Sequence, residues 1–204
     1  MPPPFSPFPS FLPNYSTPEA LIDSFENGNV TSNPAWSNDG SGFWDVTQTP
    51  ASYDGTHAAY AIPFAGTTAI LSYTHTTPLS QPSTGAEWFT AMALSGTNPS
   101  EYRLIDSENN YLAITINSDR TTMTVTDGTN TDSISVTLGT DPLLFKLEFS
   151  AGGIVKAVVY DEDGELVSET SNGITSPLLD VKKIELRNTH NGSTVTYYDW
   201  VRYG

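Results

Sequence analysis

The chain has no cysteine in its 204 residues. A disulfide framework and a thiolate metal centre are both excluded, and stability has to come from packing. Basic residues are scarce as well: Lys and Arg total 8 against 23 Asp and Glu, for a formal net charge of -15. Phosphate binding needs a cationic footprint, so nucleic acid is not an expected partner. No apolar run is long enough to span a bilayer, and the N-terminus lacks the basic start and apolar centre of a secretory signal. Either a signal has been removed or the protein leaves the cell by another route, such as inside a virus particle. An acidic, lysine-poor surface suits high salt, where self-repulsion is screened; it equally describes an ordinary acidic protein.

What is present is strand and turn. From Leu143 to Ser168 the chain writes out two consecutive hairpins. Phe145, Leu147 and Phe149 alternate with Lys146, Glu148 and Ser150, the period of two of a half-buried strand. Ala151-Gly152-Gly153 makes a tight connection, and Ile154 to Tyr160 resumes as a β-branched run. Asp161-Glu162-Asp163-Gly164 closes a second turn before the strand Glu165 to Ser168. Upstream, Ala69 to Thr74, Glu87 to Leu94, Tyr102 to Asp106, Tyr111 to Ile116, Thr121 to Thr126 and Ser133 to Leu138 are short β-rich runs separated by Gly, Pro, Asn and Asp clusters. Val181 to Asn188 and Thr194 to Tyr203 supply closing strands. Many short strands without a convincing helix predict an all-β sandwich or barrel, and 37% hydrophobic residues suffice for its core. The one short helical turn expected is at Thr17 to Ile22, capped by Thr17 with Pro18 at the first helical position.

The run KLEFSAGGIVKAVVYDEDGELV, preceded by YLAITINSDRTTMTVTDG and followed by TVTYYDWVRYG, resembles the concanavalin-A-like and laminin-G-like jelly-roll domains. Phe25-Glu26-Asn27-Gly28, a following tryptophan, and Asp54-Gly55-Thr56-His57-Ala58-Ala59-Tyr60 look like the first third of carbohydrate-binding members. The resemblance covers about Leu21 to Gly204 and implies a two-sheet antiparallel jelly roll, preceded by an arm over residues 1–20. It also implies a structural calcium ion shared by the opening Glu26, Asp54 or a neighbouring carbonyl, and the closing-strand Asp199; calcium takes six to eight oxygens and tolerates irregular geometry.

Catalytic constellations are missing from the pattern. The dense acids Asp161, Glu162, Asp163 and Glu165 sit on a turn where side chains splay into water, and they do not match the Glu-x-Asp-x-x-Glu strand of related glucanases. His57, His75 and His190 join no triad or metal motif, and Ser72 and Ser135 lie in plain strands rather than in a nucleophile elbow. Aromatics are better candidates, because sugar rings stack on exposed Trp and Tyr. Trp36, among Asn33, Pro34, Ser37 and Asn38, forms with Tyr53 a candidate stacking platform, or else caps the core; Trp88 and Trp200 read as buried.

Met1 to Pro18 is proline-rich, which favours an extended arm, yet Phe5, Phe8, Phe11, Leu12 and Tyr15 give it regular apolar anchors. Burying three Phe side chains is worth on the order of 5 to 9 kcal/mol before ordering costs. The arm docks on a neighbouring subunit, folds on its own domain, or is a tail; the first predicts a homo-oligomer. Two functions fit. One is a non-catalytic structural protein displayed outside an assembly, a virion decoration, turret or fibre component with a lectin-like head. The other is a secreted carbohydrate-binding module or glycan hydrolase domain. Both place the protein outside the cell or on a virion surface.

Overall fold

The computed structural model describes residues 20–31, 34–48, 56–94, 98–139, 141–161, 163–191 and 195–203. In chain order the strands are β1 (Ala20–Asp23), β2 (Ser37–Asn38), β3 (Gly42–Gln48), β4 (His57–Pro63), β5 (Thr68–Ser80), β6 (Glu87–Leu94), β7 (Ser100–Ile105) and β8 (Tyr111–Ile116). They continue as β9 (Thr122–Thr126), β10 (Thr131–Ser135), β11 (Leu143–Phe149), β12 (Ile154–Tyr160), β13 (Leu166–Glu169), β14 (Ile174–Thr175), β15 (Asp180–Thr189) and β16 (Thr196–Tyr203). Every pairing is antiparallel.

One sheet runs β13-β12-β11-β6-β16-β4-β3, with β1 also on β16 and β14 on β12; the other runs β10-β9-β8-β7-β15-β5-β2. Both sheets set strands distant in sequence side by side, which is the jelly-roll plan that the resemblance implies. The two central hairpins form as read. A short 3-10 turn over Ala151–Gly153 joins β11 to β12, with Gly152 at φ 78°. Asp161 closes the next turn by accepting the Asp163 and Glu165 amides at 3.0 and 2.8 Å, and Gly164 sits at φ 79°, a region costly for any residue with a Cβ.

The core fills the space between the sheets. On β9, Met123 and Val125 point in while Thr122, Thr124 and Thr126 point out; on β11, Leu143, Phe145, Leu147 and Phe149 all enter the core. The sheets are also tied by hydrogen bonds. The Tyr198 hydroxyl on β16 donates to the Arg187 carbonyl on β15, and the Thr196 and Ser100 hydroxyls meet at 2.8 Å. Asp132 on β10 accepts the amides of Asn172 and Gly173 at 2.7 and 2.6 Å, stitching the far edge.

Two local expectations fail. Residues 20–22 are extended, not helical: Ala20 and Leu21 pair with Tyr203 and Arg202 of β16, and that tertiary ladder outweighs a weak local helix preference. The tenth strand spans Thr131–Ser135 rather than Ser133–Leu138, because Asp127-Gly128-Thr129-Asn130 forms a tight turn that starts the return strand at once, with the Asn130 amide on Asp127 Oδ1 at 2.6 Å. Thr17 to Glu19 and the five anchors of the arm lie outside the described residues.

Candidate ligand-binding face

Trp36 is not a platform. It is 5% exposed, its indole N–H donates to Asp23 Oδ2 at 2.7 Å, and its ring packs between Phe25 and Tyr73 at 5.7 and 5.6 Å. Asp23 also accepts the Phe25 amide at 2.7 Å, and burial raises its pKa against the pull of these hydrogen bonds. Of the two readings of this tryptophan, stacking platform or core cap, the second holds: the loop folds down and delivers the ring to the core. Tyr53, its intended partner, lies outside the described residues. Trp44 and Trp88 are buried too.

The proposed calcium ligands are only partly assembled. Glu26 Oε1 accepts the amides of Thr56 and His57 at 2.8 and 2.7 Å, and Oε2 lies 3.3 Å from His57 Nδ1. Burial acts to raise its pKa, but these bonds win and lower it. Glu26 therefore clamps the start of β4, using the lone pairs an ion would need. Asp199 is buried in β16, and Asp54 lies outside the described residues. Among the described residues no three His, Cys, Asp or Glu gather as a metal site.

Alternation sorts the residues of the β6-containing sheet between its two faces, and on the outer face Phe43, Asp45, Tyr60 and Tyr197 are exposed or half-buried whereas Phe89, Asp199 and Arg202 are buried. In the β6-containing sheet, Trp88 and Met92 on β6, Tyr198 and Val201 on β16, and Ala59 and Ala61 on β4 belong to the core. Their neighbours face outward: Phe89 on β6, Tyr197, Asp199 and Arg202 on β16, Tyr60 on β4, and Phe43 and Asp45 on β3. An irregularity between Asp199 and Arg202 shifts the register, so both face the same side as Tyr197. Aromatic rings step across this face from the β3 edge, Phe43 to Tyr60 at 6.1 Å and Tyr60 to Tyr197 at 6.2 Å. Burial, Asp45 and Tyr197 raise the Tyr60 pKa, so its hydroxyl stays a neutral donor and acceptor.

Beyond the rings lies a charged strip. The Arg202 guanidinium rests 4.9 Å from the Phe89 ring centre, and Lys146 Nζ lies 6.0 Å from Phe89 and 5.2 Å from Tyr160. Lys146 is held between two carboxylates, Glu87 at 2.7 Å and Glu148 at 2.9 Å. Burial disfavours its charge, yet hydrogen bonds to Glu148 and Glu87 more than compensate and raise its pKa. Phe89, Leu144 and Tyr160 form a small apolar cluster separate from the core and cover the stem of this lysine.

No protein-family model and no curated protein matches the sequence. Solved structures do. A Bacillus subtilis protein of unknown function with a galectin-like fold superposes with a TM-score of 0.59 at 12% identity, over 90% of this chain and 94% of that one. A legume lectin-like domain from Entamoeba histolytica gives 0.57 at 9% identity, over 83% and 89%. An endo-beta-1,4-glucuronan lyase from the fungus Trichoderma reesei gives 0.53 at 12%, over 91% and 94%. The chain has a concanavalin-like jelly-roll fold. The same fold serves lectins and a lyase, so it does not choose between binding and turnover.

The jelly roll explains why Tyr60 and Tyr197 escape a reading by residue type: both sit in strands among small or polar residues. The signal was in the period of two, since Tyr60 stands opposite in phase to Ala59 and Ala61. A shallow hollow of about 330 Å³ between β10 and β13, lined by Ser135, Val136, Thr137, Val167 and Ser168, holds no ionisable group.

Proposed function

We propose that this protein is a non-catalytic, lectin-like jelly roll that binds glycan on the outer face of the β6-containing sheet. The observation that carries this is the half-exposed Tyr60–Tyr197 pair with the exposed Asp45 beside Tyr60. Stacked C–H faces of a sugar suit the rings, and its hydroxyls suit the exposed Asp45 carboxylate. The lectin-like and galectin-like neighbours support the reading by fold only.

The charged strip supports the non-catalytic reading. Cleaving a glycosidic bond needs one carboxyl held protonated as general acid and a second as base or nucleophile. Glu87 and Glu148 are both engaged by the ammonium of Lys146, at 2.7 and 2.9 Å, rather than set facing each other across a bound sugar. The protein acts outside the cell or on the surface of a particle. The narrower form of this reading, a virion decoration, turret or fibre component, depends on the arm considered below.

A glycan array followed by titration tests the proposal. Tyr60→Ala and Tyr197→Ala together are expected to weaken binding to the best ligand at least tenfold without loss of fold, at about 1 kcal/mol per stacked ring. Unchanged affinity in the double variant sinks the site. Polysaccharide turnover abolished by Glu87→Gln or Glu148→Gln sinks the non-catalytic reading.

A further inference from the structure

We infer that the apolar corner Phe43, Ile62 and Phe64 is the docking surface for the proline-phenylalanine arm of a second copy of this chain. Phe43 and Ile62 are cross-strand partners on β3 and β4, and the Phe64 amide bonds back to the Ser41 carbonyl at 3.1 Å, so the three side chains belong to one corner of the sheet. They are 48%, 44% and 57% exposed, the only such aromatic-bearing group among the described residues; Leu166, Val167 and Leu179 are exposed elsewhere but are aliphatic. The corner lies at the edge of the sheet, since β3 pairs with β4 alone. An exposed apolar edge is a site for association unless something covers it.

Three features match the arm to it. The first is spacing. A polyproline II helix has three residues per turn, so positions three apart share a face, and Phe5, Phe8 and Phe11 are three apart; such segments dock on aromatic-lined surfaces. Charge is the second: residues 1–18 contain no Asp, Glu, Lys or Arg, so the arm approaches a protein of net charge -15 without like-charge repulsion. Third, proline lacks the N–H needed to extend a ladder, so this occupant covers the edge without propagating the sheet.

Direction favours the arm of another copy over that of the same one. On β16, β4 occupies the Thr196–Tyr198 end and β1 the Val201–Tyr203 end of the same side. Followed backwards from Asp23 to Ala20, β1 runs from Val201 towards Tyr203, away from the corner. The level of Ile62 lies eight strand positions behind, roughly 27 Å at about 3.4 Å per residue. An arm of the same copy would have to reverse its course to come back to the corner. Arm-to-corner contact is heterologous, which builds rings or filaments and suits a displayed assembly.

The experiment uses full-length chains and light scattering. Phe5→Ser/Phe8→Ser/Phe11→Ser disables the arm, and Phe43→Ser/Phe64→Ser disables the corner; near-ultraviolet circular dichroism checks that both fold. The parent chain is expected to associate, each variant to be monomeric, and a mixture of the two to form a one-to-one complex, because one partner supplies the intact arm and the other the intact corner. A parent chain monomeric at all concentrations, self-association of either variant, or failure of the mixture to complex overturns the inference. Glycan binding through Tyr60 and Tyr197 is read separately, so failure of one proposal leaves the other standing.

Discussion

Lys146→Met isolates the electrostatics of the charged strip. Methionine keeps the stem that packs under Phe89 and Tyr160, so the change removes the ammonium and little else. The Glu87 side chain is 7% exposed and loses a cation 2.7 Å away, whereas Glu148 is 40% exposed and can rehydrate. Removing one partner of a buried ion pair costs about 3 to 5 kcal/mol, because the other charge is left out of water. With one of the two carboxylates able to recover its water, the lower end applies, about 3 kcal/mol. For a domain of this size each kcal/mol moves Tm by about 2 to 4 °C, giving a fall of about 6 to 12 °C. Urea unfolding at pH 7, followed by tryptophan fluorescence, should show a lower midpoint with unchanged slope. Adding Glu87→Gln should recover most of the loss, to within about 1 kcal/mol of the parent, because the stranded charge is gone. If Lys146→Met unfolds within 0.5 kcal/mol of the parent, on the scale set by the buried-pair cost, or if the double variant is no better than the single, the strip is not a buried charge network.

His75, buried beside Tyr73, Trp88 and Tyr203 with Nε2 lacking a hydrogen-bond partner, has its pKa lowered by burial and then by Lys182. The unfolded chain therefore takes up the proton first: stability should be full above pH 6.5 and fall as pH drops towards the folded-state value, and His75→Phe should flatten that slope in a series of denaturant melts. Gly42→Ala would drive a Cβ into Ala69 Cβ and to 2.9 Å from the Ile62 carbonyl. That change should cost about 1 to 3 kcal/mol by thermal melting, and a neutral result would mean that the β3–β5 crossing can open.

Much of the architecture was written in the chain. The alternation of Phe145, Leu147 and Phe149, the Gly turns and the absence of helix patterning specify antiparallel hairpins through local sterics and the partition of apolar side chains, which are short-range physics. The same reasoning located the two central hairpins and their turns. Which strands become neighbours was not legible: β16 lies between β6 and β4, and β1 lies on β16, because long-range pairing depends on how two sheets share one core. For the same reason residues 20–22 trade a local helical preference for a ladder. Burial of Trp36 came from Asp23, Phe25 and Tyr73, none of which its polar sequence neighbours announce. The proposed ligand-binding face is of this second kind. Tyr60 and Tyr197 are separated by more than half the chain and meet at 6.2 Å only because strand register puts them opposite each other, and Lys146 finds Glu87 through the same ladder. Side-chain chemistry is set residue by residue, but its assembly into a surface requires the antiparallel register that only the closed sandwich supplies.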